Sequence, residues 1–213
     1  MAEMRIRLVV PITGLSGSAI QERLDYLNGV ADPGTVVDAV QVEVGPPAIE
    51  SKVDEVRAGP EVLRLVKGAE EDGCDAAIIW CGSDPSLEAS RQVVDIPVIG
   101  PGEAMRAIST MLGREPVRIV PDIPVLEMRV DLGETVEAIR SEVLERIGEG
   151  DGDVFLLGCL ALWGLGSRLR DEIGVPILDG AEASLKMAEL CVRLGLRHSR
   201  VAYPRFPPEH RSG

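Results

Sequence analysis

The chain has 213 residues, 45% of them hydrophobic and 27% charged, which is enough to bury a core and too apolar for a disordered segment. With 22 Lys and Arg against 35 Asp and Glu, the net charge of −13 argues against nucleic-acid backbones and anionic membrane surfaces as partners. No apolar run is long enough to span a bilayer and Met1 to Arg5 carries no signal-peptide pattern, so the sequence predicts a cytoplasmic protein whose four cysteines are free thiols.

Short apolar runs alternate with segments of helical period, the pattern of parallel strands joined by crossover helices, which predicts an α/β fold. Ile6 to Ile12 reads as a strand, followed by a Gly/Ser loop from Thr13 to Ser18 and a helix with Ile20, Leu24 and Leu27 on one face. Val36 to Val44 reads as a second strand, ending at Gly45-Pro46-Pro47. Pro60 suits the first turn of a helix through Val62, Leu63, Val66 and Ala69, closed by Gly73. Ala76 to Trp80, Pro97 to Ile99, Val154 to Leu157 and Pro176 to Leu178 read as further strands. Glu103 to Leu112, Glu134 to Ile147 and Glu182 to Leu194 read as helices, the last stopped at Gly195, and the tail with Pro204, Pro207 and Pro208 reads as an irregular strap.

An internal repeat runs through this order. Asp75, Cys81, Pro97 and Glu103 are spaced by 6, 16 and 6 residues, and Asp153, Cys159, Pro176 and Glu182 by 6, 17 and 6. Four landmarks in one order predict duplicated lobes related by a pseudo-twofold axis, the first over residues 1–102 and the second over 103–200, with an irregular tail over 201–213.

Ligands of open α/β sheets sit beyond the carboxyl ends of the strands, which is where each lobe delivers its cysteine. Backbone N–H groups of Gly82-Ser83-Asp84-Pro85 and of Leu160 to Gly166, with the helix N-termini behind them, would favour thiolate. One thiolate and one thiol on opposite faces of a carbon suit proton removal and return, hence racemisation or epimerisation without a cofactor. Backbone amides and Ser83 would then hold the developing oxyanion. Either cysteine alone reads more readily as a packed core residue, and the matching placement in two repeats reverses that reading. Cys74 and Cys191 read as structural, Glu103 and Glu182 as helix-start charges, and Trp80 and Trp163 as core residues beside the cysteines.

The segments Gly45 to Ser51, Cys81 to Ala89, Ile96 to Ala104, Leu157-Gly158-Cys159 and Val175 to Gly180 resemble the aspartate/glutamate/hydantoin racemase superfamily, most nearly its hydantoin racemase branch. The resemblance implies a two-lobed fold, cofactor-independent proton transfer between Cys81 and Cys159, and a small carboxylate or cyclic amide as substrate. It also implies substrate contacts from Pro11 and Thr13 at the end of the first strand, and from Gly82, Ser83, Asp84, Leu160 and Ala161 beside the cysteines. A maleate-isomerase-like or arylmalonate-decarboxylase-like reaction of the same superfamily, and a catalytically silent carboxylate binder, are the alternatives.

Two departures stand out. The first strand ends Val9-Val10-Pro11-Ile12-Thr13, without the Asn that many members carry before the Pro. Only Gly113 to Asp122 precedes an apparent strand at Ile123 to Glu127, so the second lobe is expected to lack one strand-helix unit and to expose a sheet edge that pairs in a homo-oligomer. Pyridoxal and dinucleotide chemistry find no support, since none of the three lysines has a Schiff-base context and Gly100-Pro101-Gly102 lacks the third glycine of the nucleotide fingerprint. No metal site is expected.

Overall fold

A computed structural model describes residues 3–206. Its elements run β1 (Met4–Val10), α1 (Gly17–Val30), β2 (Thr35–Gln41), α2 (Lys52–Glu71), β3 (Ala76–Ile79), α3 (Leu87–Val93), β4 (Val98–Ile99), α4 (Pro101–Leu112) and β5 (Pro116–Ile119). They continue with α5 (Leu132–Glu149), β6 (Val154–Leu157), α6 (Gly166–Ile173), β7 (Ile177–Asp179) and α7 (Gly180–Arg193). Two parallel sheets form, ordered β2-β1-β3-β4 and β5-β6-β7. The strands read as unbroken apolar runs because both faces are covered. Ile6, Leu8 and Val10 of β1 face one core with Ile78 and Trp80, while Val9 and Ile79 face Val62 and Val66 of α2 on the other side.

Hydrogen bonds account for the repeated residues. Asp75 Oδ2 accepts from the Arg5 N–H at 2.8 Å and its own N–H donates to the Arg5 carbonyl. Asp153 does the same where β6 begins, accepting from the N–H groups of Arg114 at 2.8 Å and Glu115 at 2.9 Å. Each Asp thus closes the entry of a central strand against its neighbour, satisfying donors the parallel ladder leaves free. The carbonyls of Pro97 and Pro176 accept from Ala77 and Phe155, the matching residues of β3 and β6. An unforeseen fifth landmark joins them. Arg91 donates to the Val98 carbonyl at 3.1 Å and pairs with Glu103 at 2.8 Å, and Arg170 donates to the Ile177 carbonyl at 2.7 Å beside Glu182 at 3.6 Å. The two acidic helix starts are therefore also partners of arginines that lock the outer strands.

The second sheet has no counterpart of β2, as the short chain segment predicts. Its first strand lies at Pro116–Ile119, and the expected strand at Ile123 to Glu127 is a run of turns instead. Pro121 and Pro124 cannot donate, and their carbonyls accept locally from Ile123 and from Glu127 and Met128. The start of α2 also differs from expectation, at Lys52 rather than Pro60. Ser51 Oγ accepts from the Asp54 N–H at 3.2 Å while the Asp54 carboxylate accepts from the Ser51 hydroxyl at 2.7 Å, a reciprocal cap stronger than the proline signal. Pro60 and Val56 lie on the solvent face, so the carbonyl that Pro60 leaves unpaired is hydrated.

The helices that follow each sheet cross to the other. α4 packs against β5, β6 and β7, α7 packs across β3 and β4, and the two helices pack on each other. A Cβ on Gly180 would lie 3.3 Å from Pro101 and 3.2 Å from Met105. The tail returns to the first sheet, where the Tyr203 hydroxyl accepts from Arg91 at 3.2 Å and the Phe206 N–H donates to Gln92 at 2.9 Å. Pro207, Pro208 and His210 lie outside the described residues. Among those described, no helix is long and apolar enough to cross a membrane.

Two carboxylates tie the loops after β3 and β6 to these crossing helices. Asp84, at the end of the first loop, accepts from the Gly102 and Glu103 N–H groups at the start of α4, at 2.8 and 2.7 Å. Asp179, which caps α7, accepts from Ala181 at 2.8 Å and from Gly164 of the second loop at 2.6 Å. The loops themselves meet backbone to backbone. A Cβ on Gly82 would stand 2.3 Å from the Gly158 carbonyl oxygen, so only glycine fits.

Gly82→Ala should push the two loops apart and cost about 1–3 kcal/mol of stability, read by urea unfolding. Burial raises the Asp179 carboxyl to about 6, above its ordinary value, so this group favours the fold at acid pH and that contribution fades as pH rises through 6. Wild type should therefore lose stability relative to Asp179→Asn between pH 4 and pH 7, by roughly 2–3 kcal/mol, in parallel denaturation curves.

Candidate active site

Cys81 stands two residues beyond β3 and Cys159 two beyond β6, each delivered by a buried four-residue strand to the carboxyl end of its sheet. Both line one cavity of about 890 Å³. Its floor is the touching pair of loops, Cys81-Gly82-Ser83 and Gly158-Cys159-Leu160. One wall comes from Ile12 to Ser16 and the N-terminal half of α1, and the opposite wall from residues 120–129. That second wall occupies the place of the missing strand-helix unit. It is held by the Val125 N–H donating to Glu50 at 2.9 Å, by the Thr135 hydroxyl donating to the Met128 carbonyl at 2.7 Å, and by Arg129.

The sulfurs have few polar neighbours. Cys81 Sγ lies 3.3 Å from Ser83 Oγ, and Cys159 Sγ accepts from the Ala161 N–H at 3.5 Å. Burial raises both thiols above the ordinary range, Cys159 to about 11. The N–H groups and Ser83 act in the opposite direction and lose, so the expected lowering is reversed: both groups rest as thiols at neutral pH. Each cysteine meets a different field. Asp84 and Glu55 raise Cys81 further, whereas Arg118 and Arg23 partly offset the burial of Cys159. A negative charge on Cys81 also raises Cys159.

Of the remaining expected residues, Gly82, Ser83, Leu160 and Ala161 lie on the cavity with the cysteines. Pro11 is buried at the end of β1 behind Ile12, which takes the place on the wall. Thr13 turns to the neighbouring loop, its N–H and hydroxyl both donating to the Pro46 carbonyl, at 3.0 and 3.3 Å. Asp84 lies off the cavity, engaged by α4.

Three arginines on the cavity wall escaped the sequence reading. Arg118 donates to the Gly158 carbonyl at 2.7 Å and lies over that glycine, where a Cβ would be 2.4 Å from its Nε. Arg129 donates to the carbonyls of Ala161 and Trp163 at 3.1 and 3.2 Å and stacks 3.8 Å above the Trp163 ring. Arg23 is 5% exposed on α1, in register with Ile20 and Leu27 on the helix's inner face. A charged residue at an apolar position of a helix was the available signal for it. No group of three His, Cys, Asp or Glu among the described residues could hold a metal ion.

Residues 12–120, more than half of the chain, match the Asp/Glu/Hydantoin racemase family. The chain is 30% identical to a hydantoin racemase of Pseudomonas sp. (strain NS671), over 96% of this chain and 92% of that protein. Among solved structures it is similar to an allantoin racemase from Klebsiella pneumoniae, with a TM-score of 0.86 and 31% identity over 95% of this chain and 94% of the other. It is also similar to an allantoin racemase from Pseudomonas fluorescens, with a TM-score of 0.88 and 26% identity over 99% and 100% of the two chains. A doubled α/β scaffold with a cysteine at each sheet's functional end, aligned to such relatives along nearly its whole length, belongs to the Asp/Glu/hydantoin racemase family and is an isomerase of the racemase class.

Proposed function

We propose that this chain racemises a small cyclic ureide of the hydantoin kind at the carbon alpha to its ring carbonyl, with Cys81 and Cys159 as the proton-transferring pair. The observation that carries the reading is the meeting of both cysteine loops on the floor of one cavity. One sulfur, as thiolate, takes the alpha proton from one face, and the electron pair of the broken C–H bond delocalises into the ring carbonyl. The other sulfur, as thiol, gives its proton to the opposite face. The product leaves with the two sulfurs' protonation states exchanged, and the reverse direction serves the other enantiomer. Ser83 and the N–H groups around Leu160, on the cavity beside the cysteines, serve as donors to the developing oxyanion. No cofactor takes part in this scheme, because the carbonyl next to the reacting carbon acidifies it.

Solvent deuterium should enter the alpha position of a 5-substituted hydantoin during turnover. Cys81→Ser and Cys159→Ser should each lower kcat about 10²–10⁴-fold, the range of one acid-base group. Undiminished exchange in both variants removes the pair from the mechanism, and binding without exchange in wild type would favour a silent binder. Since both thiols are raised by burial, kcat/KM should climb about tenfold per pH unit above neutrality until the first thiol has titrated. A profile flat from pH 7 to pH 9 would contradict this.

The chain is also proposed to work as a homo-oligomer. β5 is a sheet edge, and two exposed apolar side chains precede it in the chain, Met111 at 77% and Leu112 at 48% exposure. Light scattering should give a dimer or larger, and a monomer at assay concentration would refute the pairing.

A further inference from the structure

Arg23 is a buried cation without an ion-pair partner among the described residues. Its side chain is 5% exposed and faces the cavity from α1, yet it makes one hydrogen bond, from Nη1 to the Ala19 carbonyl one turn back, at 2.5 Å. Its Nε is buried without an acceptor, and no carboxylate among the described residues forms an ion pair with it. The guanidinium lies 6.0 Å from the Trp163 ring, whose Nε1 is a second buried donor without an acceptor. The other cavity arginines are engaged, Arg118 with Gly158 and Arg129 with Ala161 and Trp163. The acidic groups on the wall do not neutralise Arg23. Glu22 and Asp122 are exposed, Glu50 is exposed and holds the Val125 N–H, and Glu55 is paired with Lys52 at 2.8 Å. Burying a guanidinium this deeply without an ion pair is costly, and the repulsion from Arg129 outweighs the attraction of the exposed Glu22. With Nη1 committed, the edge formed by Nε and Nη2 is the one that matches the two oxygens of a carboxylate.

We infer that Arg23 is a specificity residue that receives a carboxylate borne by the substituent of the substrate ring, so that the enzyme prefers a cyclic ureide with an acidic side chain over a neutral one. This rests on the racemase reading and names the substrate class for the same cavity. The pair of probes is hydantoin-5-acetate and its carboxamide, which share size and shape and differ in charge. Wild type should favour the carboxylate at least about tenfold in kcat/KM, with the difference in KM, as a charge-assisted bidentate contact present in both ground and transition state requires. Arg23→Gln and Arg23→Leu should bring that ratio to within about threefold of unity, and Arg23→Lys, which keeps the charge without the fork, should fall between. A wild-type ratio near unity, or the same ratio in every variant, overturns the assignment. Calorimetric binding of the two probes reads the same preference without turnover. Failure of deuterium exchange on both compounds would therefore sink the racemase reading while the binding ratio still decides the role of Arg23. Melting curves identify any variant that fails to fold, and Arg23→Lys, the least disruptive, keeps the comparison open.

Discussion

The backbone contact between Gly82 and Gly158 is the constraint on which the rest of the site depends. Two parallel sheets each present a cysteine beyond a central strand, but sheets about a side chain further apart would place those sulfurs in separate hollows. A missing Cβ at Gly82 lets one loop rest on the carbonyl of the other, and Gly102 and Gly158 remove the next obstacles, Gly102 against the Gly82 carbonyl and Gly158 against Arg118. Asp84 and Asp179 then fasten the paired loops to the helix starts beneath them. The shared cavity is thus built from main-chain proximity first and from side chains second.

The resting state of the two sulfurs follows from their burial. Apolar surroundings keep both sulfurs protonated at rest, and the positive groups are gathered toward Cys159 while Asp84 and Glu55 bear on Cys81. A chain of net charge −13 nonetheless lines this cavity with three arginines without ion pairs among the described residues, two of them holding backbone carbonyls of the Cys159 side. The two sulfurs are alike in position along the repeat and unlike in electrostatic setting.

Much of this was legible before any coordinates, and the reasons are physical. The Asp, Cys, Pro and Glu landmarks recur because each meets a fixed backbone need at the entry, exit or flank of a parallel strand, and spacing exposes such needs. Arg91 and Arg170 meet a similar need and went unnoticed, since a long side chain on a polar helix looks like solvated surface until its target carbonyl is seen. Ile123 to Glu127 imitated a strand through its apolar alternation, but two prolines removed the donors a ladder requires, and its side chains line the cavity instead. Thr13 and Asp84 stand where the resemblance puts them in the chain, yet their polar groups are taken up by loop and helix backbone, and Pro11 is buried behind Ile12. Arg23 interrupts the apolar face of α1, where a charged residue in sequence reads as solvated rather than as buried beside Ile20 and Leu27.

The exchange of α4 and α7 between the sheets has a consequence for how such a molecule can come into being. Neither sheet is sealed by the helix that follows it, so a chain cut after α4 would leave apolar strands without the cover of α7 while its α4 lacked the sheet it packs on. Melting of either half then deprives the other of its cover, which binds the whole fold into one cooperative event despite its two sheets.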